Sequence, residues 1–156
     1  MRILVATAVP VERDAVAPAF EGTAAAADVL AVGVGPALAA AGTATALTRA
    51  ALEGAAYGLV VSAGIAGGFL PEAPVGSLVV ASEITAADLG AETAEGFVPV
   101  TALGFGAVTH RPPASLVRDA VAATGGRAGA VLTVSFEGTF FLWSTIAGHY
   151  LDTMPD

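Results

Sequence analysis

Apolar positions in this chain fall in short runs, each cut off by glycine, proline or a polar cluster. This is the pattern of buried strands alternating with helices. Residues 2–8, Arg-Ile-Leu-Val-Ala-Thr-Ala, predict a first core strand. Pro10 suits a first helical turn, and Glu12 and Asp14 suit its positive end, so a helix is expected to about Phe20. Residues 22–28 are a small-residue turn region with room for a short strand. Asp28 to Val32 predicts a strand that ends in Gly33-Val34-Gly35-Pro36. Residues 36–52 are alanine-rich and predict a long helix. Tyr57 to Ser62 predicts a strand that runs into Ala63-Gly64-Ile65-Ala66-Gly67-Gly68, where an apolar run stops in a cluster of small residues. After a loop over 69–76 with two prolines, residues 76–83 predict a further strand. Residues 84–112 have little periodicity and read as a long excursion carrying Phe97 and Phe105. Pro112 and Pro113 introduce a helix at about 114–123, Gly125-Gly126 end it, and residues 130–135 predict the last clear strand.

Strands and helices in alternation predict a three-layer α/β domain with a central, mostly parallel sheet. In such sheets ligands gather outside the carboxyl ends of the strands. Three predicted loops share that edge: the one after the first strand with Glu12, the Gly33–Gly35 turn, and the Gly64–Gly67 turn. No internal repeat or linker divides the chain. Residues 1–135 are expected to form one α/β domain and 136–156 a tail of different character. The first 135 residues hold 36 alanines and the tail one, yet the tail holds three of the seven phenylalanines and the single tryptophan, Trp143. Such a tail suits an aromatic helix on a sheet face, a partner-binding or oligomerising element, or a non-native end.

Composition narrows the chemistry. Hydrophobic residues make up 55% of the 156 and charged ones 13%, which argues against disorder. No apolar run approaches the ~18 residues of a membrane helix, and the start does not read as a signal peptide, so a cytoplasmic protein without a membrane partner is expected. There is no cysteine, hence no disulfide or thiol chemistry. All six basic residues are arginine, so no lysine can form a Schiff base. A net charge of −8 with scattered arginines is a poor match for nucleic acid. His110 and His149 lack ligand spacing, so no metal and no cofactor are expected. His110, before two prolines, reads as a loop-packing residue, as do Phe97 and Phe105.

Glu12 is the candidate catalytic residue. A carboxylate beside glycine-rich, water-poor loops can act as general base on a water, its pKa raised by burial. Its plainer role is to favour a helix N-terminus. Gly33, Gly35, Gly64, Ile65, Ala66 and Gly67 are the candidate substrate-binding residues, whose backbone can lie close to a ligand; their plainer role is turn formation and close helix packing. Gly33-x-Gly35 opening a helix is also a partial dinucleotide fingerprint, with Glu53 as the imagined ribose acid. The third glycine is missing, and Glu53 precedes the next strand instead of ending it.

Four ordered stretches carry a family resemblance: Ile3–Ala8 followed by Glu12; Val32-Gly33-Val34-Gly35-Pro36 leading into the alanine-rich helix; Ser62–Gly68; and Val75–Glu83. Together they resemble the purine nucleoside phosphorylase and methylthioadenosine/S-adenosylhomocysteine nucleosidase superfamily. Ala87–Glu92 with Gly96-Phe97 and Leu103–Gly106 look more narrowly like the futalosine hydrolase family of menaquinone biosynthesis. The resemblance spans about residues 2–135. It implies hydrolysis of a purine–ribose N-glycosidic bond, futalosine giving hypoxanthine and dehypoxanthine futalosine. Glu12 would hold and activate the water, and Gly64–Gly67 would line the ribose and base pocket. It also implies a small-molecule purine nucleoside as partner and, by analogy, a homo-oligomer. An acid at the first loop favours hydrolysis over phosphorolysis, which needs an arginine-lined anion site. Alternatives are a methylthioadenosine/S-adenosylhomocysteine nucleosidase, or a non-catalytic chain of the same ancestry acting as a binding module. The family's domain continues further, with a second acid in a Met-Glu motif and a later aspartate that protonates the purine. After Ser135 neither motif is found; Glu137 and Asp152 are the only substitutes.

Overall fold

The computed structural model describes residues 1–135. The aromatic tail, with Glu137, His149 and Asp152, lies outside them. The chain divides into two compact units, Met1–Gly67 and the residues from Gly68 onward.

The first unit is built on a parallel three-stranded sheet in the order β2-β1-β3. Strand β1 (Arg2–Thr7) lies between β2 (Ala26–Ala31) and β3 (Leu59–Ser62). Being central, β1 supplies the core: Leu4, Val5, Ala6 and Thr7 are buried, whereas Val60 and Val61 on the edge strand β3 stay partly exposed. Register sets Thr7 beside Ala31 and Ala6 beside Ser62, so the three strands end level with one another. The pairing is extended by Val32 N–H donating to the Thr7 carbonyl at 2.9 Å and Ala63 N–H to the Ala6 carbonyl at 2.9 Å. Helix α1 (Pro10–Val16) is shorter than the sequence suggests, and a 3₁₀ turn over Ala17–Phe20 continues it. Pro18 has no N–H with which to extend the α-helical ladder.

Helix α2 (Gly35–Leu52) is 18 residues long. It lies close to the end of β2: a Cβ on Gly42 would stand 2.4 Å from the Val32 carbonyl oxygen. At the other end of the sheet, Arg2 forms an ion pair with Asp28 at 2.6 Å and donates to the Ala55 carbonyl at 2.7 Å. Its guanidinium also lies 4.6 Å from the centre of the Tyr57 ring, and the Tyr57 hydroxyl donates to Asp28 at 2.7 Å. These contacts tie β1, β2 and the α2–β3 connection together away from the glycine-rich edge.

The second unit holds a three-stranded sheet of order β7-β4-β8 and a hairpin. Strand β4 (Val79–Ala86) pairs in parallel with β8 (Arg127–Thr133), with a bulge between Ala81 and Glu83, and antiparallel with β7 (Thr109–His110). Helix α3 (Ala114–Thr124) ends at Gly125 in the left-handed conformation, as Gly125-Gly126 predict. The expected long excursion is instead partly regular: β5 (Gly90–Thr93) and β6 (Gly96–Pro99) form a hairpin. Its turn is closed by the Thr93 hydroxyl donating to the Gly96 carbonyl at 2.8 Å. Neither Gly90-Ala91-Glu92-Thr93 nor Gly96-Phe97-Val98-Pro99 has the apolar run that marks β3, which is why the sequence conceals them. Phe97 on β6 is half-buried, whereas Phe105 is exposed. His110 sits on β7 opposite Ile84.

The α/β class and the predominance of parallel pairing follow the sequence. Among the described residues three of the five strand pairs are parallel, namely β1–β2, β1–β3 and β4–β8.

Candidate active site

The level ends of β2, β1 and β3 bring three loops to one edge of the first unit. The loop after β1 is Ala8-Val9, the one after β2 is Val32–Val34, and the one after β3 is Ala63–Gly67. Glu12 joins two of them. It occupies the third position of α1, so its side chain reaches back past Val9, the residue capping that helix. Its Oε2 accepts from Ala8 N–H at 2.9 Å and from Val9 N–H at 3.3 Å. The Val9 contact is half of a capping box, the plainer role foreseen for this residue. Its Oε1 accepts from Ile65 N–H at 3.0 Å, across 53 residues of sequence. Helix capping alone does not require that last bond.

Three backbone donors on one carboxylate determine its charge. The Ile65 amide is the largest influence and lowers the Glu12 pKa; burial opposes it, and the Ala8 and Val9 amides add to the lowering. The expectation of a pKa raised by burial is therefore corrected. The side chain is only half-buried, and hydrogen bonds to the charged form outweigh its desolvation. A carboxylate has about four lone-pair directions, so three amides leave room for one further donor such as a water. Glu12 is thus ionised near neutrality, fixed in place, and able to accept from one more group.

Gly64 and Ile65 meet Glu12 directly. Ile65 contributes its amide while its side chain is 91% exposed. Gly64 packs its bare Cα against the carboxylate: a Cβ there would stand 2.7 Å from Oε1 and 3.1 Å from Cδ. Ala66 and Gly67 continue the same loop and are exposed. Gly33 and Gly35 join the edge through strand register. Gly33 adopts a φ of +114°, and a Cβ on it would stand 2.7 Å from Leu38 Cβ, so both the backbone and the space demand glycine. Gly35, with φ +82°, opens α2. The Ala8 and Val9 amides escaped the sequence reading. The signal for them is the three-residue spacing from Val9 to Glu12, hidden because valine is not a usual capping side chain.

Other features limit the chemistry. Glu53, the imagined ribose acid, follows the last residue of α2. At about 1.5 Å per residue that is roughly 27 Å from Gly35, too far to share a nucleotide with that turn. Arg13, next to Glu12, pairs with Asp14 at 2.8 Å. Arg49 lies in the last turn of α2, away from the glycine-rich edge. Among the described residues no group of three or more His, Asp or Glu is arranged to hold a metal, and no helix is long and apolar enough to cross a membrane.

Known proteins can now be set beside this geometry. No protein-family model matches the chain. It is 66% identical to a futalosine hydrolase of Streptomyces coelicolor over 149 aligned residues, 86% of this chain and 63% of that protein. A futalosine hydrolase of Acidothermus cellulolyticus is 38% identical over 114 residues, 65% of this chain and 44% of that protein. The chain therefore spans less than two thirds of the length of either relative. Among solved structures, the Streptococcus pneumoniae MTA/SAH nucleosidase in complex with 8-aminoadenine matches with a TM-score of 0.70. That match has 17% identity and covers 97% of this chain and 72% of the nucleosidase. The chain is thus similar in sequence to two futalosine hydrolases, and it shares the α/β fold of the solved nucleosidase.

Proposed function

We propose that the chain carries the water-activating side of a nucleosidase site that hydrolyses the N-glycosidic bond of futalosine, giving hypoxanthine and dehypoxanthine futalosine. The observation that carries this reading is the Glu12 carboxylate, held at the carboxyl edge of a parallel sheet by amides from two loops. The substrate follows from the likeness to futalosine hydrolases.

The chemistry suits a carboxylate of lowered pKa. As the bond between C1′ and the purine nitrogen lengthens, the ribose takes on oxocarbenium character, and a fixed negative charge nearby stabilises it without having to reorganise. A water held by the remaining lone pair of Glu12 attacks C1′. Its oxygen forms the new bond, the electron pair of the breaking bond leaves with the purine, and one water proton passes to Glu12. A water bonding to a cation becomes strongly acidic, so a weak base suffices. A proton must also reach the purine, and the candidates named for that part, Glu137 and Asp152, lie outside the described residues. The loop of Gly64, Ile65, Ala66 and Gly67, with the Gly33–Gly35 turn, would bound the nucleoside. Arg13 is engaged by Asp14, which disfavours a phosphate nucleophile at this edge.

The test is incubation of the purified chain with futalosine and with methylthioadenosine, with free base measured by chromatography. Hypoxanthine from the first and no adenine from the second is the expected result. Adenine alone would assign the other nucleosidase specificity. Absence of both from folded protein would favour the second reading, a non-catalytic binding module. That reading draws on the aromatic-rich composition after Ser135. The resemblance also suggests a homo-oligomer, which size-exclusion chromatography with light scattering would test.

A further inference from the structure

The structure assigns Gly64 the role of positioning residue for Glu12: the absence of a side chain at Gly64 creates the seat in which the carboxylate meets the Ile65 amide. This rests on the proposed catalytic role of Glu12 and goes beyond treating Gly64 as a wall of the nucleoside pocket.

The geometry separates the two roles. Gly64 does not have the positive φ that demands glycine on backbone grounds, unlike Gly33 and Gly35. What excludes a side chain is the space. The three atoms nearest to a Cβ would be Oε1 at 2.7 Å, Cδ at 3.1 Å and Oε2 at 3.3 Å, all belonging to Glu12. All three distances lie inside ordinary van der Waals contact, the first far inside it, so one partner must move. The obstructing group is the end of a flexible side chain, and the opposing one is main chain. An alanine at position 64 would therefore fold and push the carboxylate off Ile65 N–H, while the Ala8 and Val9 amides on the other oxygen need not be lost. Among the described residues no charged side chain compensates. The groups facing Glu12 from the β1 and β3 loops are amides, and on its own helix Arg13 and Asp14 are engaged with each other.

Losing the Ile65 bond removes the strongest influence that keeps Glu12 ionised, so its pKa rises in Gly64→Ala. The carboxylate form is then lost at a higher pH as the solution is acidified. The acid limb of the kcat/KM profile shifts upward by the same amount, and the rate at neutral pH falls about tenfold, because losing a fixed, placed charge outweighs the gain in basicity.

Three measurements on the full chain test this. The first is titration of the Glu12 carboxyl carbon by NMR in wild type and Gly64→Ala; it does not depend on activity. The expected result is a folded variant with a higher Glu12 midpoint, and equal midpoints would overturn the proposal. The second is the pH profile of futalosine hydrolysis, whose acid limb is expected to move with the NMR midpoint. A shifted midpoint with an unmoved profile would refute catalysis by Glu12, and the positioning role with it. The third is Gly64→Ala in a Glu12→Ala background, where the obstruction is gone. No further loss of Tm is expected there. A loss as large as in wild type would mean that Gly64 acts through something other than Glu12.

Discussion

Replacing Gly42 by alanine tests whether the glycine-rich edge depends on how closely α2 approaches β2. In an exposed helix interior this substitution usually stabilises by about 1 kcal/mol, because glycine is the poorer helix former. Here the new methyl carbon would lie 2.4 Å from the Val32 carbonyl oxygen and 3.0 Å from Val32 Cα and Cβ. Ordinary contact begins near 3.4 Å, so the deficit is about 1 Å, and the nearest obstructing atoms are main chain just past β2, not a movable side-chain tip. Either α2 moves outward or the Val32 peptide tilts. Tilting strains the bond from Val32 N–H to the Thr7 carbonyl and displaces Gly33, whose own Cβ position is blocked by Leu38 on α2. Overpacking of this kind costs about 1–3 kcal/mol, which exceeds the propensity gain. The expected result is therefore a net loss of up to about 2 kcal/mol in chemical denaturation, with a Tm lower by several degrees. Activity should fall further than stability implies, since a displacement near 1 Å at a reacting edge can cost ~10²-fold. A stabilised Gly42→Ala protein with wild-type turnover would refute the claim that this contact sets the position of the Gly33 turn.

Other consequences can be measured independently. Glu12→Gln keeps the shape of the side chain but removes its charge, and should lower kcat by ~10²–10³-fold with little change in circular dichroism. Because the Glu12 pKa is lowered in the folded state, its contribution to stability is present above the unfolded value of about 4.3 and fades as pH falls through the folded value. The stability gap between wild type and Glu12→Gln should accordingly be widest near neutral pH and close on acidification; a gap constant with pH would show that the charge is not stabilised. In the second unit, the buried Thr85 hydroxyl lies 3.0 Å from the Thr109 hydroxyl and donates to Glu83 at 3.3 Å. Thr85→Val should cost about 1–2 kcal/mol in urea unfolding by leaving Thr109 without that partner. Tyr57→Phe removes the hydroxyl bond to Asp28 and should cost about 1 kcal/mol without altering the pH profile of any activity.

The sequence reveals elements whose cause is local and conceals those whose cause is tertiary. Strand β1 and helix α2 are long enough for their apolar runs to show, and the breakers Gly33, Gly35 and Gly125 mark their positions through φ angles that side-chain-bearing residues rarely adopt. The β5–β6 hairpin stays hidden because glycine, proline and polar residues leave its strands no apolar run of the kind that marks β3. The 3₁₀ turn after α1 was readable in principle from Pro18, although alanine-rich flanks make a longer helix look natural there. At the site, the identity of Glu12 was legible from its place beside a helix start. Its pKa was not, because the deciding donor is a backbone amide 53 residues away, and an amide carries no sequence signature.

The capping role of Glu12 does not compete with the catalytic role proposed for it. A capping carboxylate is fixed because helix amides hold it, and fixity is what electrostatic stabilisation of a developing cation requires. Capping alone, however, would leave Oε1 to solvent. The Ile65 amide, brought alongside by the β1–β3 register, turns a helix cap into a bridge between two loops at the edge where such sheets bind ligands. The same bond makes Glu12 a poor base in the resting protein. Its strength as a proton acceptor would rise if a bound nucleoside drew the loop of Ile65 away, so a Glu12 carboxyl midpoint that moves upward when a non-hydrolysable substrate analogue is added would show that binding itself prepares the base. A midpoint that stays low in the complex would mean that Glu12 acts by charge and by holding water, with the proton leaving only after the new C1′–oxygen bond has formed.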